Sequence, residues 1–135
     1  IDDYAHHPTE IRATLAALGD AFPSRRIVAV FQPHLYSRTR DFAEEFGEAL
    51  AAADRAWVTD VFPAREAPIP GVDGALVVEA VRRAGGVAEL HGPLEGLAAA
   101  VADDLEPGDV VVTLGAGSIE GVGPELVREL EVVRA

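Results

Sequence analysis

Two short runs, Arg26–Phe31 and Asp109–Leu114, are apolar after their first residue, Thr113 apart, and Ala56–Phe62 and Val87–Leu90 read as further strands. A strand that faces water on one side alternates apolar with polar residues; one buried on both faces does not. Between the runs the spacing changes to that of helices. Ile11, Leu15, Leu18 and Phe22 recur at i, i+4, i+7 and i+11; Phe42, Phe46 and Leu50 follow at steps of four. Leu76, Val77, Ala80 and Val81 mark a third helix that stops at Gly85-Gly86. Leu94, Leu97, Val101 and Leu105 mark a fourth, and a last one begins near Pro124. Strands apolar throughout, alternating with helices, predict a single α/β domain over residues 1–135: a Rossmann-like, mainly parallel sheet with helices on both faces.

That topology ranks the polar residues. Right-handed crossovers put every strand-to-helix loop on one edge of a parallel sheet, where such sheets bind ligands. All four histidines (His6, His7, His34, His91) fall in those loops, with Tyr4, Tyr36, Arg38, Arg40 and Arg65. The helix-to-strand connections hold Asp20, Ser24, Arg25 and Asp54 but no histidine.

Two stretches concentrate the chemistry. Asp2-Asp3-Tyr4-Ala5-His6-His7-Pro8-Thr9-Glu10 leads into the first helix, whose start Pro8 suits because it has no N–H to lose. The free amides of that turn favour anions, although His7 also serves as an ordinary N-cap and Asp2 and Asp3 as turn residues. The second stretch, Gln32-Pro33-His34-Leu35-Tyr36-Ser37-Arg38-Thr39-Arg40, is read as a loop. Its arginines form a positive spot that suits a carboxylate or phosphate. Pairing with Asp41, Glu44 and Glu45 accounts for Arg40 well and Arg38 poorly. Gly115-Ala116-Gly117, between a strand and a helix, suits either a phosphate cradle or a tight turn.

Composition closes several routes. A net charge of −12 argues against nucleic acid and anionic membranes, and no apolar run approaches the ~20 residues of a membrane span. All eleven cations are arginine, so there is no P-loop lysine and no Schiff-base lysine. There is no cysteine, hence no thiolate metal site, and a reducing compartment is compatible. His6, His7 and Asp3 are too close in sequence to converge readily on a metal, and Ser37 and Ser118 lack a nucleophile-elbow context. Without a methionine, the chain reads as a piece of something longer.

Asp2–Glu10 followed by Phe31–Thr39 resembles the C-terminal domain of the Mur ligases, in the form carried by the branch that adds L-alanine to UDP-N-acetylmuramate in peptidoglycan synthesis. Glu66-Ala67-Pro68-Ile69-Pro70-Gly71 and Gly115-Ala116-Gly117 extend the likeness over the whole chain. The resemblance implies a cytoplasmic, three-domain enzyme, of which the UDP-binding and central ATPase domains lie outside this chain. ATP, with Mg²⁺ held by the central domain, would phosphorylate the substrate carboxylate, and the amino acid would then attack the acyl phosphate. By position, Asp3, Tyr4 and His6 would meet the nucleotide. His34 and Arg38 would face the amino acid and the reacting centre, with Arg40 and Gly115, Ala116 and Gly117 also on the substrate side. Leu35 stands where many relatives carry arginine, so that contact does not carry over. A murein tripeptide-recycling ligase domain and a non-catalytic nucleotide-binding module are the alternatives.

Overall fold

The computed structural model describes residues 1–134, with side chains described through residue 131. Five parallel strands form one sheet in the order β1-β5-β2-β3-β4. In chain order these are β1 (Asp2–Asp3), α1 (Pro8–Ala21), β2 (Ile27–Phe31), α2 (Tyr36–Leu50), β3 (Arg55–Val58), α3 (Gly74–Arg83), β4 (Ala88–Leu90), α4 (Leu97–Asp104), β5 (Val110–Leu114) and α5 (Val122–Arg134). A 3-10 turn, Ser118–Gly121, precedes α5.

Alternate residues of the strands serve two cores. Ala29, Phe31, Ala56, Val58, Val112 and Leu114 face α1, α2 and α3, where they meet Ile11, Leu15, Phe46, Leu50 and Val77. Val28, Val30 and Trp57 face α4 and α5, against Leu97, Val101, Ile119, Val122 and Leu126. Both faces of β2 are therefore buried, as its unbroken apolar run requires. Gly47 sets the distance between α2 and α3: a Cβ there would come within 2.4 Å of the Ala80 carbonyl carbon. At the opposite end from the strand-to-helix loops, Arg26 clamps Asp109 with Nε at 3.1 Å and Nη2 at 2.6 Å, and Nη2 also donates to the Asp104 carbonyl.

Four local expectations change. Asp2 and Asp3, expected in a loop, form a strand on β5, with Asp2 beside Thr113 and Asp3 beside Leu114. The Thr113 hydroxyl donates to the Asp2 carboxylate at 2.8 Å. Helix α2 starts at Tyr36, so Arg38 and Arg40 stand on its opening turns and not in a loop; Phe42 kinks it. The third strand ends at Val58, and His34 and Phe62 make one isolated bridge beyond it. Asp20 lies inside α1, not in a connection.

Candidate functional site

The last residues of the five strands stand in one row. Asp3 pairs with Leu114, Leu114 with Phe31, Phe31 with Val58, and Val58 with Leu90. The loops that leave this row part to opposite faces: those after β1 and β2 lead to α1 and α2, whereas the one after β5 leads to α5. A cleft opens where neighbouring loops diverge, and β5 lies between two that diverge from it.

Across that place runs a row of rings. Tyr4, 70% exposed, meets His6 edge-on at 5.3 Å between centroids. His6 lies 5.9 Å from His34, and His34 stacks on Phe62 at 5.4 Å with 23° between planes. The site thus joins residues from the loops after β1, β2 and β3. His7 turns the other way, onto Phe42 at 5.2 Å. It also caps α1: its side chain accepts from the Thr9 amide, while Glu10 reaches back to the His7 amide at 3.1 Å. Among the described residues no group of three or more His, Asp or Glu converges as metal ligands would.

Asp3 is partly committed. One carboxylate oxygen accepts from the Ala5 amide at 2.8 Å and the other from the Thr14 hydroxyl at 3.3 Å. A carboxylate has about four acceptor positions, so two remain for a ligand. His6 is oriented by contact of Nδ1 with the Tyr4 carbonyl at 3.1 Å.

The β2 side carries the uncommitted groups. His34 Nδ1 and Arg38 Nη1 are both buried atoms without a hydrogen-bond partner. Burial pushes the His34 pKa below the ordinary 6.5, and the charges of Arg38 and His6 add to this against Glu66. The ring is therefore neutral at neutral pH. Arg40 is instead engaged by Asp41, Nε to Oδ1 at 2.9 Å, on the exposed side of the helix. Arg65 is exposed in the loop after β3.

At Gly115, Ala116 and Gly117 the need for glycine is met by the protein itself. Gly115 has φ +152° and a Cβ there would lie 2.7 Å from Ile119; one at Gly117 would lie 2.7 Å from the Phe62 ring. Gln32, 4% exposed, braces this turn by donating to the Ser118 hydroxyl at 3.0 Å and accepting from the Ile119 amide at 3.1 Å. Gln32 and Phe62 are two supports that the sequence reading did not single out. A polar residue directly after a buried strand was the available signal for Gln32; Phe62 gave none.

Comparison with known proteins identifies the family and the fold. The family model for the Mur ligase, glutamate ligase domain, matches residues 1–117. The chain is 56% identical over 131 residues to the UDP-N-acetylmuramate–L-alanine ligase of Cutibacterium acnes, covering 96% of this chain and 28% of that protein. In structure it is similar to the UDP-N-acetylmuramate–alanine ligase of Thermotoga maritima, with a TM-score of 0.80 and 28% identity, over 98% of this chain and 26% of that one. A domain from a UDP-N-acetylmuramate:L-alanyl-γ-D-glutamyl-meso-diaminopimelate ligase of Haemophilus ducreyi matches at TM-score 0.71 and 26% identity, covering 96% of this chain and 88% of that one. The chain thus spans about a quarter of the length of its curated relatives.

Proposed function

The chain belongs to the Mur ligase family through its glutamate ligase domain, and on that premise we propose that it is the C-terminal closing domain of an ATP-dependent ligase joining L-alanine to UDP-N-acetylmuramate. The supporting observation is the pair of uncommitted buried atoms, His34 Nδ1 and Arg38 Nη1, on the ligand-binding rim. A buried guanidinium nitrogen without a partner suits a carboxylate, and L-alanine offers little else to recognise. The 56% identity to an L-alanine-adding relative favours that amino acid.

In this reading ATP supplies the phosphoryl group that turns the muramate carboxylate into an acyl phosphate, and the amine of L-alanine displaces phosphate from it. Arg38 holds the amino-acid carboxylate and so aims the amine. Neutral His34 takes the proton that the ammonium must shed before it can attack. Asp3 accepts hydrogen bonds from the ribose hydroxyls with its two remaining acceptor positions, and the Tyr4 ring and His6 flank the nucleoside. Arg40 and the backbone of Gly115, Ala116 and Gly117 stand at the margin of the substrate space. The phosphate-binding lysine and the Mg²⁺ ligands belong to the rest of the ligase, which also binds the UDP-sugar. The reaction is placed in the cytoplasm, where ATP and nucleotide-sugars are made; among the described residues no helix is long and apolar enough to cross a membrane.

The test is kinetic. The full-length ligase should hydrolyse ATP only with both UDP-N-acetylmuramate and L-alanine present. The isolated domain should fold but show no ATP turnover, since the main electrostatic stabilisers of phosphoryl transfer lie elsewhere. Full-length enzyme that ignores L-alanine, or turnover by the pure isolated domain, would defeat the reading.

A further inference from the structure

Glu66 lies in the loop between β3 and α3, yet its carboxylate is bound to the start of α2. One oxygen accepts from the Ser37 amide at 3.0 Å and the other from the Ser37 hydroxyl. A helix start leaves amides without intrahelical partners and carries the positive end of the dipole. The usual cap is the side chain of the residue just before the helix. Here that residue is Leu35, which has nothing to offer, and its φ of +69° is a strained setting for leucine. Glu66 supplies from a separate loop what His7 and Glu10 supply to α1 locally.

The two loops are joined by backbone as well. The Leu35 amide donates to the Phe62 carbonyl at 2.9 Å, and the Phe62 amide to the Pro33 carbonyl at 2.8 Å. Arg38 follows Ser37 directly on the turn that Glu66 holds. Among the described residues no ion pair links Glu66 to Arg38, whose Nη1 stays without a partner. The helix start therefore already has its anion, and the guanidinium beside it does not.

We infer that Glu66 is a positioning residue for the amino-acid carboxylate: it fixes the opening turn of α2 so that Arg38 is presented unpaired, and it fills the helix-start anion site so that a substrate carboxylate goes to Arg38. This rests on the reading of the rim as the L-alanine site. Losing Glu66 acts in two ways. The turn carrying Arg38 loosens, and the bared amides compete for the carboxylate in the wrong place. Both weaken productive L-alanine binding and leave the nucleotide side, at Asp3 and Tyr4, unaltered.

The experiment uses the full-length ligase with Glu66→Ala, Glu66→Gln, Ser37→Ala and the Ser37→Ala/Glu66→Ala double variant. With L-alanine and ATP varied in turn, Glu66→Ala should raise KM for L-alanine about tenfold, in line with loss of a charge-assisted hydrogen bond, with KM for ATP within about twofold. Glu66→Gln keeps the size and one acceptor, and should fall between wild type and Glu66→Ala. The double variant should be no worse than Glu66→Ala alone, because both substitutions break the same link. A cap with no bearing on substrate would lower the melting temperature and leave KM for L-alanine unchanged. That result, or an additive double variant, in an enzyme whose wild type uses L-alanine would overturn the inference and leave the proposed function standing. A wild type indifferent to L-alanine would remove both.

Discussion

The rings of His6 and His34 lie 5.9 Å apart although one follows β1 and the other β2, with the end of β5 between those strands. That contact joins the side of the rim assigned to the nucleotide to the side assigned to the amino acid. Because each side is assigned its own ligand, substitutions on the two sides should still separate in kinetics.

On the amino-acid side, Arg38→Lys keeps the charge and loses the planar fork. In the full-length ligase KM for L-alanine should rise at least about tenfold, roughly 1.4 kcal/mol, with a fall in kcat as the amine loses its aim. Steady-state kinetics at saturating ATP checks this. Constants near those of wild type would shift the clamp to Arg40 or Arg65.

On the nucleotide side, Asp3→Asn is a cleaner test than Asp3→Ala, because the amide oxygen can still accept from Ala5 N–H and keep the turn. The charge-assisted contact to ribose would be lost, at about 1.5–3 kcal/mol, or roughly ten- to a hundredfold in KM for ATP. An unchanged KM for ATP would reduce Asp3 to its contacts with Ala5 and Thr14.

His34 gives a pH signature. Its folded-state pKa is below 6.5, so on acidification the unfolded chain takes up this proton first. The stability contributed by the neutral ring is complete above 6.5 and declines as pH falls below it. Chemical denaturation of the isolated domain at pH 7.5 and 5.5 should show a larger loss for wild type than for His34→Gln. An NMR titration that puts His34 above 6.5 would contradict the assignment.

At the far end of the sheet, Arg26→Met should destabilise the domain without touching the site. Asp109 has a side chain only 5% exposed, and the substitution leaves its charge unpaired. Breaking a buried pair costs about 3–5 kcal/mol, and the lower end applies because the Arg26 side chain is 29% exposed. Burial pushes the Asp109 carboxyl up, but the hydrogen bonds from Arg26 and from the Glu106 amide, with the Arg26 charge, bring it below the ordinary 3.8. The pair's contribution is thus present above that value and lost as pH falls through the folded pKa. Denaturation curves at pH 7 measure the first effect, and an acid series the second.

The sheet and its helices were legible because their periods are long and unmixed, from Ile11–Phe22 through Val110–Leu114. Strand β1 was not: two acidic residues carry no period, and only pairing with Thr113 and Leu114 makes them a strand. The start of α2 was hidden for a related reason. Its cap sits on Glu66, in another loop, so nothing near Leu35 announces a helix. Placing the rim residues on one edge needed only the parallel topology. The acidic neighbours of Arg40 already set it apart from Arg38 in the sequence; the coordinates add the Arg40–Asp41 pair and the buried, unpartnered Nη1 of Arg38.

The open end of the ring row has a practical use. The chain has two tyrosines, Tyr4 at that end and Tyr36 at the start of α2, and its one tryptophan, Trp57, is buried under α4. Fluorotyrosine incorporated into the isolated domain would give two resonances, both from the rim, while indole emission would follow the core alone. Ligand docking and unfolding could then be watched in one sample through separate spectroscopic channels.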